Sequence, residues 1–120
     1  VACERFDVKA IAFDRWNSSQ LVAELLEEGI EMVKFGQGFA SMSAPMKELM
    51  RLVLCKGIEH NDPLLTWAMS NVVADVDPAD NIKPDKGKVS EKIDPAVALI
   101  MAIGVSMSEE KQMNDLCVVL

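Results

Sequence analysis

A chain of 120 residues, 50% hydrophobic and 26% charged, has the make-up of one folded domain or part of one and is too apolar to stay disordered. Its formal net charge of -7 excludes non-specific nucleic-acid binding by bulk charge, so any contact with nucleic acid has to come from a local site. Three scattered cysteines, Cys3, Cys55 and Cys117, contain no CxxC pair; they indicate neither a disulfide framework nor a zinc site, and a reducing cytoplasm fits them best.

Val8 to Phe13 is a compact, mostly apolar run ending in Asp14, and it reads as a buried strand. Asn17 and Gln20 resemble a capping box. Leu21, Val22, Leu25 and Leu26 then form a stripe at helical spacing that Gly29 ends, and Ile30 to Phe35 reads as a second strand. Strand, helix and strand with short joints build a parallel sheet. Gly36, Gly38, Ala40, Ser41 and Ser43 are expected to form a loop, with Ser43 as the N-cap and Pro45 in the first turn of a helix that Gly57 stops. Ile58-Glu59-His60 is expected as a short edge strand, and Asp62-Pro63 as a cap and first turn of a helix reaching Val72. Residues 73 to 90 are rich in Asp, Asn, Pro, Gly and Lys and read as a loop or irregular hairpin with Pro78-Ala79-Asp80-Asn81 at its turn. Asp94-Pro95 repeats the cap-then-proline signal and opens a last helix, apolar nearly all round and therefore expected to be buried. A domain over residues 1–107 and a C-terminal tail over 108–120, ending in the apolar Leu116 to Leu120, follow from the change to polar residues at Ser108. The longest apolar run, Pro95 to Val105, is shorter than the roughly 18 residues that a membrane helix needs, so neither a span nor a secretion signal is expected.

Two aspartates stand at element ends. Asp14 closes a strand, where ligands of open α/β sheets bind, but a residue there also simply begins a turn. Asp94 has the same two readings, since aspartate is among the best N-caps and two carboxylates at the ends of core elements are also ligands for a hard divalent cation. Lys83, Lys86, Lys88 and Lys92 form a local basic concentration, either a solvated loop or a surface for phosphates. His60 reads as a surface residue, and Gly36-Gln37-Gly38 lacks the third glycine of a dinucleotide loop.

Four phrases, AIAFDRW (10 to 16), FGQGFASMSAPMKELMRLV (35 to 53), NDPLLTWAMSNVV (61 to 73) and DNIKPDKGKVSEKIDPAVALIMAIG (80 to 104), together resemble the C-terminal nuclease part of the large terminase subunit of tailed bacteriophages and prophages. The resemblance implies an α/β, RNase H-like fold with a partly parallel sheet flanked by helices. It also implies an endonuclease, a hydrolase that cuts concatemeric double-stranded DNA during genome packaging in the cytoplasm of the bacterial host, while a separate N-terminal ATPase drives translocation. The family's metal cluster takes three aspartates. Asp14 matches the second by its place in AIAFDRW and Asp94 the third by its place in KIDPAVALIMA, with Mg2+ or Mn2+ in a two-metal site as the implied cofactor.

The chain starts at Val1, directly before a strand pattern, as a piece cut from a longer protein would, so the first strands and the first carboxylate are expected to be missing. The isolated chain is then expected to be inactive or weakly active. Lys83, Lys86 and Lys88 are the candidate DNA contacts. The small terminase subunit and the portal are the implied partners in the full-length protein, and an open sheet edge makes a homodimer of the chain possible. A different reading is a non-catalytic module of the packaging motor that docks to the portal or another subunit through the Leu116 to Leu120 tail. A third is an unrelated α/β domain whose aspartates only cap helices.

Overall fold

The computed structural model describes residues 5–14, 19–88 and 92–119, with residues 111–119 given as helical backbone. The chain divides into two compact units, residues 1–36 and residues 37–120. In the first, strand β1 (Ile11–Phe13), helix α1 (Ser19–Glu27) and strand β2 (Met32–Lys34) form the expected strand, helix, strand sequence. β1 and β2 pair in parallel with Ile11 opposite Met32 and Phe13 opposite Lys34, and the Phe13 carbonyl accepts the Phe35 N–H at 2.9 Å. The turn after α1 is a two-bond Schellman closure: Gly29, at φ +81°, donates to Leu26, and Ile30 donates to Leu25. Only glycine adopts that φ without a steric cost, and this is why the helix stops where the sequence places Gly29. Asn17, the expected cap of α1, lies outside the described residues.

In the second unit, helices α2 (Phe39–Leu54) and α3 (Pro63–Ser70) pack on α4 (Asp94–Val119), and α2 also packs on β4 of an antiparallel hairpin of β3 (Ala74–Val76) and β4 (Ile82–Pro84). Buried Met42, Met46 and Leu49 of α2 recur at helical spacing, as do Ala96, Val97, Ile100 and Met101 of α4. Together with Ala68 of α3 and Ile93, which precedes α4, they are the core. Fully burying a side chain such as Ile100 contributes about 1.5–3 kcal/mol.

Several expectations differ from the structure. Helix α2 begins at Phe39 with Gly38 as its N-cap, so Ala40 to Ser43 are helical and not a loop; Ser43 is a buried hydroxyl and not a cap. Pro45 sits in the second turn, buried, where its ring carries apolar contact and forgoes one helical N–H. The left-handed residue that ends α2 is Lys56, at φ 57°, while Gly57 takes the next position and donates to Leu52 at 2.8 Å. A Cβ at 57 would stand 2.9 Å from Leu52 Cδ2, so a larger residue there requires the Leu52 side chain to shift. Ile58 to His60 form no strand. Through residue 110, helix α4 is buried along one stripe and not nearly all round, Ala98 and Ala102 being exposed.

An apolar groove of about 380 Å3 opens between α2, α3 and α4, lined by Leu49, Met50, Val53, Met69, Val72 and Ile100 among others. No helix among the described residues is long and apolar enough to cross a membrane.

Candidate functional site

Asp14 follows β1 directly, half-buried, at the carboxyl end of the parallel pair. The bond from Phe35 to the carbonyl of Phe13 holds the backbone straight up to the residue that bears the carboxylate. Asp94 is exposed and is the first residue of α4. The cap position belongs to Ile93, whose carbonyl accepts the Val97 N–H at 3.0 Å, so Asp94 stands one residue inside the helix and not at its N-cap. This departs from the cap-then-proline expectation. The contrast with Asp62 is direct: that residue is the N-cap of α3, and its Oδ1 accepts from Leu64 N at 2.8 Å and Leu65 N at 3.1 Å. At the first helical position an aspartate still gains from the helix dipole, but its carboxylate is not spent on a backbone donor as that of Asp62 is. Asp14 belongs to the first compact unit and Asp94 to the second. Among the described residues, no group of three or more His, Cys, Asp or Glu stands together in a way that would hold a metal ion.

The basic residues have distinct surroundings. Lys83, on β4, places its ammonium 4.7 Å from the centre of the Phe39 ring, a cation–π contact that holds the side chain while leaving its charge intact. Lys86 donates to Gln37 Oε1 at 2.5 Å, a neutral partner. Lys88 instead pairs with Asp85 at 3.4 Å, so its charge is partly cancelled. Burial pushes the Asp85 carboxyl up, but the N–H groups of Gly87 and Lys88 and the Lys88 ammonium outweigh it and hold it below the usual carboxylate range. Gln37, Asp75, Lys83, Asp85 and Lys86 line the polar side of a cleft of about 250 Å3, with Met42, Pro84 and Val97 as its apolar wall. Of the three lysines expected to contact DNA, Lys83 and Lys86 therefore share one cleft with Asp75 and Asp85, Asp75 standing opposite Lys83 in the hairpin register, while Lys88 is ion-paired with Asp85 and its charge partly cancelled.

The sequence pattern assigns Gln37 no role, whereas the structure gives its amide two hydrogen-bond partners, Lys86 and Met101. Its motif, FGQGFA, carried only the signal of a polar side chain between two glycines before a helix. His60, expected on the surface, is exposed, and its Nδ1 accepts the Asp62 N–H at 3.2 Å.

Comparison with known proteins points one way. A family model described as terminase large subunit, endonuclease domain, matches residues 1–110. The protein YmfN of Escherichia coli strain K12 is 38% identical over 102 residues, covering 82% of this chain and 22% of that protein. The terminase large subunit of Enterobacteria phage HK97 is 36% identical over 107 residues, covering 87% of this chain and 21% of that protein. The crystal structure of the HK97 bacteriophage large terminase superposes with a TM-score of 0.76 at 36% identity, over 85% of this chain and 22% of that one. The chain thus spans about one-fifth of the length of these relatives.

Proposed function

Because the chain belongs to the terminase large subunit endonuclease domain family, we propose that it is part of a metal-dependent endonuclease that cuts concatemeric double-stranded DNA during phage genome packaging. The observation that carries the site assignment is the position of Asp94: at the start of α4, exposed, and outside the cap position that would otherwise account for it. Asp14, closing β1, is the other ligand. Both supply hard carboxylate oxygens, the donor type that Mg2+ and Mn2+ prefer. The bound ions would supply an activated water and charge stabilisation for the leaving oxygen of the phosphodiester. The chain's own residues hold the substrate: Lys83 and Lys86 meet the DNA backbone, while Lys88, paired with Asp85, contributes less. Backbone contacts of this kind position a duplex without reading its sequence.

The small terminase subunit and the portal are the proposed partners in a full-length protein, and the host cytoplasm is the proposed place of action. With only two carboxylates assigned and, among the described residues, no group of three or more that would hold a metal ion, the 120-residue chain is expected to bind metal weakly and to cut DNA weakly or not at all. The test is a plasmid-nicking assay in Mg2+ or Mn2+, run with the 120-residue chain and its Asp94→Asn variant. Weak or absent nicking, with any residual activity lost in the variant, supports the assignment. Robust metal-dependent nicking by both proteins overturns the role of Asp94, and robust nicking by the unaltered chain alone overturns the expected weakness.

A further inference from the structure

Gln37 is half-buried just ahead of the N-cap of α2, and both ends of its amide are engaged. Its Nε2 donates to Met101 Sδ at 3.8 Å, and its Oε1 accepts from Lys86 Nζ at 2.5 Å. Met101, 7% exposed, is a fixed point of the core on α4, so the amide links an anchored helix to a side chain on an exposed turn. The anchor has a particular address. Met101 lies two turns beyond Asp94, and positions i and i+7 share one helix face, so Lys86 is tied to the face of α4 on which Asp94 begins.

From this we infer that Gln37 is a positioning residue for the DNA-contacting ammonium of Lys86. The inference rests on the DNA-contact reading given above and deepens it. A free lysine side chain on a turn samples many rotamers and loses that freedom when it meets a phosphate. Gln37 removes part of that freedom before the ligand arrives, which is how preorganisation raises affinity. The partner's neutrality matters as much as its place. An amide oxygen takes one of the three ammonium donors and cancels no charge, leaving two donors and the full positive charge for a phosphate; Asp85 does the opposite to Lys88.

The test measures binding of the 120-residue chain to a fluorescein-labelled blunt duplex by anisotropy, across salt from about 50 to 200 mM. Each phosphate contact contributes about 0.9 to the slope of log K against log salt, so Lys86→Ala is expected to lower the slope by about 0.9 and to weaken binding roughly eightfold near 0.1 M. Gln37→Ala, which removes no charge, is expected to lower the slope in the same way, and the double variant to fall no further than Lys86→Ala. A merely structural glutamine would leave the slope alone. If Gln37→Ala does not fold by circular dichroism, Gln37→Leu decides: it keeps most of the side chain's bulk and adds no charge but offers Lys86 no acceptor, and the same fall in slope is expected. Unchanged affinity and slope in the Gln37 variants, with Lys86→Ala impaired, overturn the positioning role and leave the DNA contact standing. An unaltered Lys86→Ala overturns the contact and the positioning role together.

Discussion

Ser43 shows how one hydroxyl changes meaning between sequence and structure. A serine ahead of a proline and an apolar stripe reads as an N-cap, yet here it is buried within α2 and its Oγ accepts the Ile82 N–H at 3.1 Å. Ile82 faces β3 on one side of β4, and the hydroxyl serves the donor on the other, clipping the hairpin to the helix. Ser43→Ala leaves that N–H without a partner and is expected to cost about 1–3 kcal/mol in urea unfolding. Lys56 is a second instance. Both α1 and α2 end in the same two-bond closure, but α1 puts Gly29 at the left-handed position and α2 puts Lys56 there, at φ 57°. A side chain in that conformation costs roughly 1 kcal/mol, so Lys56→Gly is expected to raise the unfolding midpoint even though glycine is the more flexible residue when unfolded. Neither role was legible locally: the partner of Ser43 is far along the chain, and Gly57 drew the helix stop to itself because glycine is the usual signal.

At the scale of elements, the parallel pair, the hairpin and the helices beginning at Pro63 and Asp94 follow from local patterns. Asp-Pro marks two helix starts, and Pro78-Ala79-Asp80-Asn81 marks the turn. The same Asp-Pro signal nevertheless produced two arrangements, with Asp62 capping α3 and Asp94 inside α4. The difference separates their energetics. Asp62→Ala removes two backbone bonds and is expected to cost about 1 kcal/mol, whereas Asp94→Asn is expected to change stability by only a few tenths, a comparison that thermal unfolding without metal settles. The hairpin turn depends on charge as well. Asp77 is held below the usual carboxylate range first by the side-chain amide of Asn81, then, against an upward push from burial, by the N–H groups of Asn81 and Ala79. Asp85 is depressed in the same direction. A carboxylate with a lower pKa when folded contributes stability that is present above its unfolded pKa, about 3.9, and is lost as pH falls through the folded value. Unfolding followed by fluorescence from pH 7 to 2 is therefore expected to show stability falling below about pH 4, and the fall to shrink in Asp77→Asn.

For the molecule as a whole, ordered phrases spread along the chain carried the family, and the match over residues 1–110 bears that out. No spacing rule could have carried the site, because Asp14 and Asp94 lie far apart in sequence and each has an ordinary local explanation. What separates metal ligand from helix start is what the carboxylate does, and paramagnetic broadening reads that even when binding is weak. The measurement is a titration of the 15N-labelled chain with substoichiometric Mn2+, followed by amide line widths in the unaltered protein, Asp14→Asn and Asp94→Asn. Selective broadening of the amides around Asp14 and around the first turn of α4, sharply reduced in both variants, is expected. Broadening that spares these amides, or that persists unchanged in Asp94→Asn, would contradict it and return Asp94 to a residue that merely begins a helix.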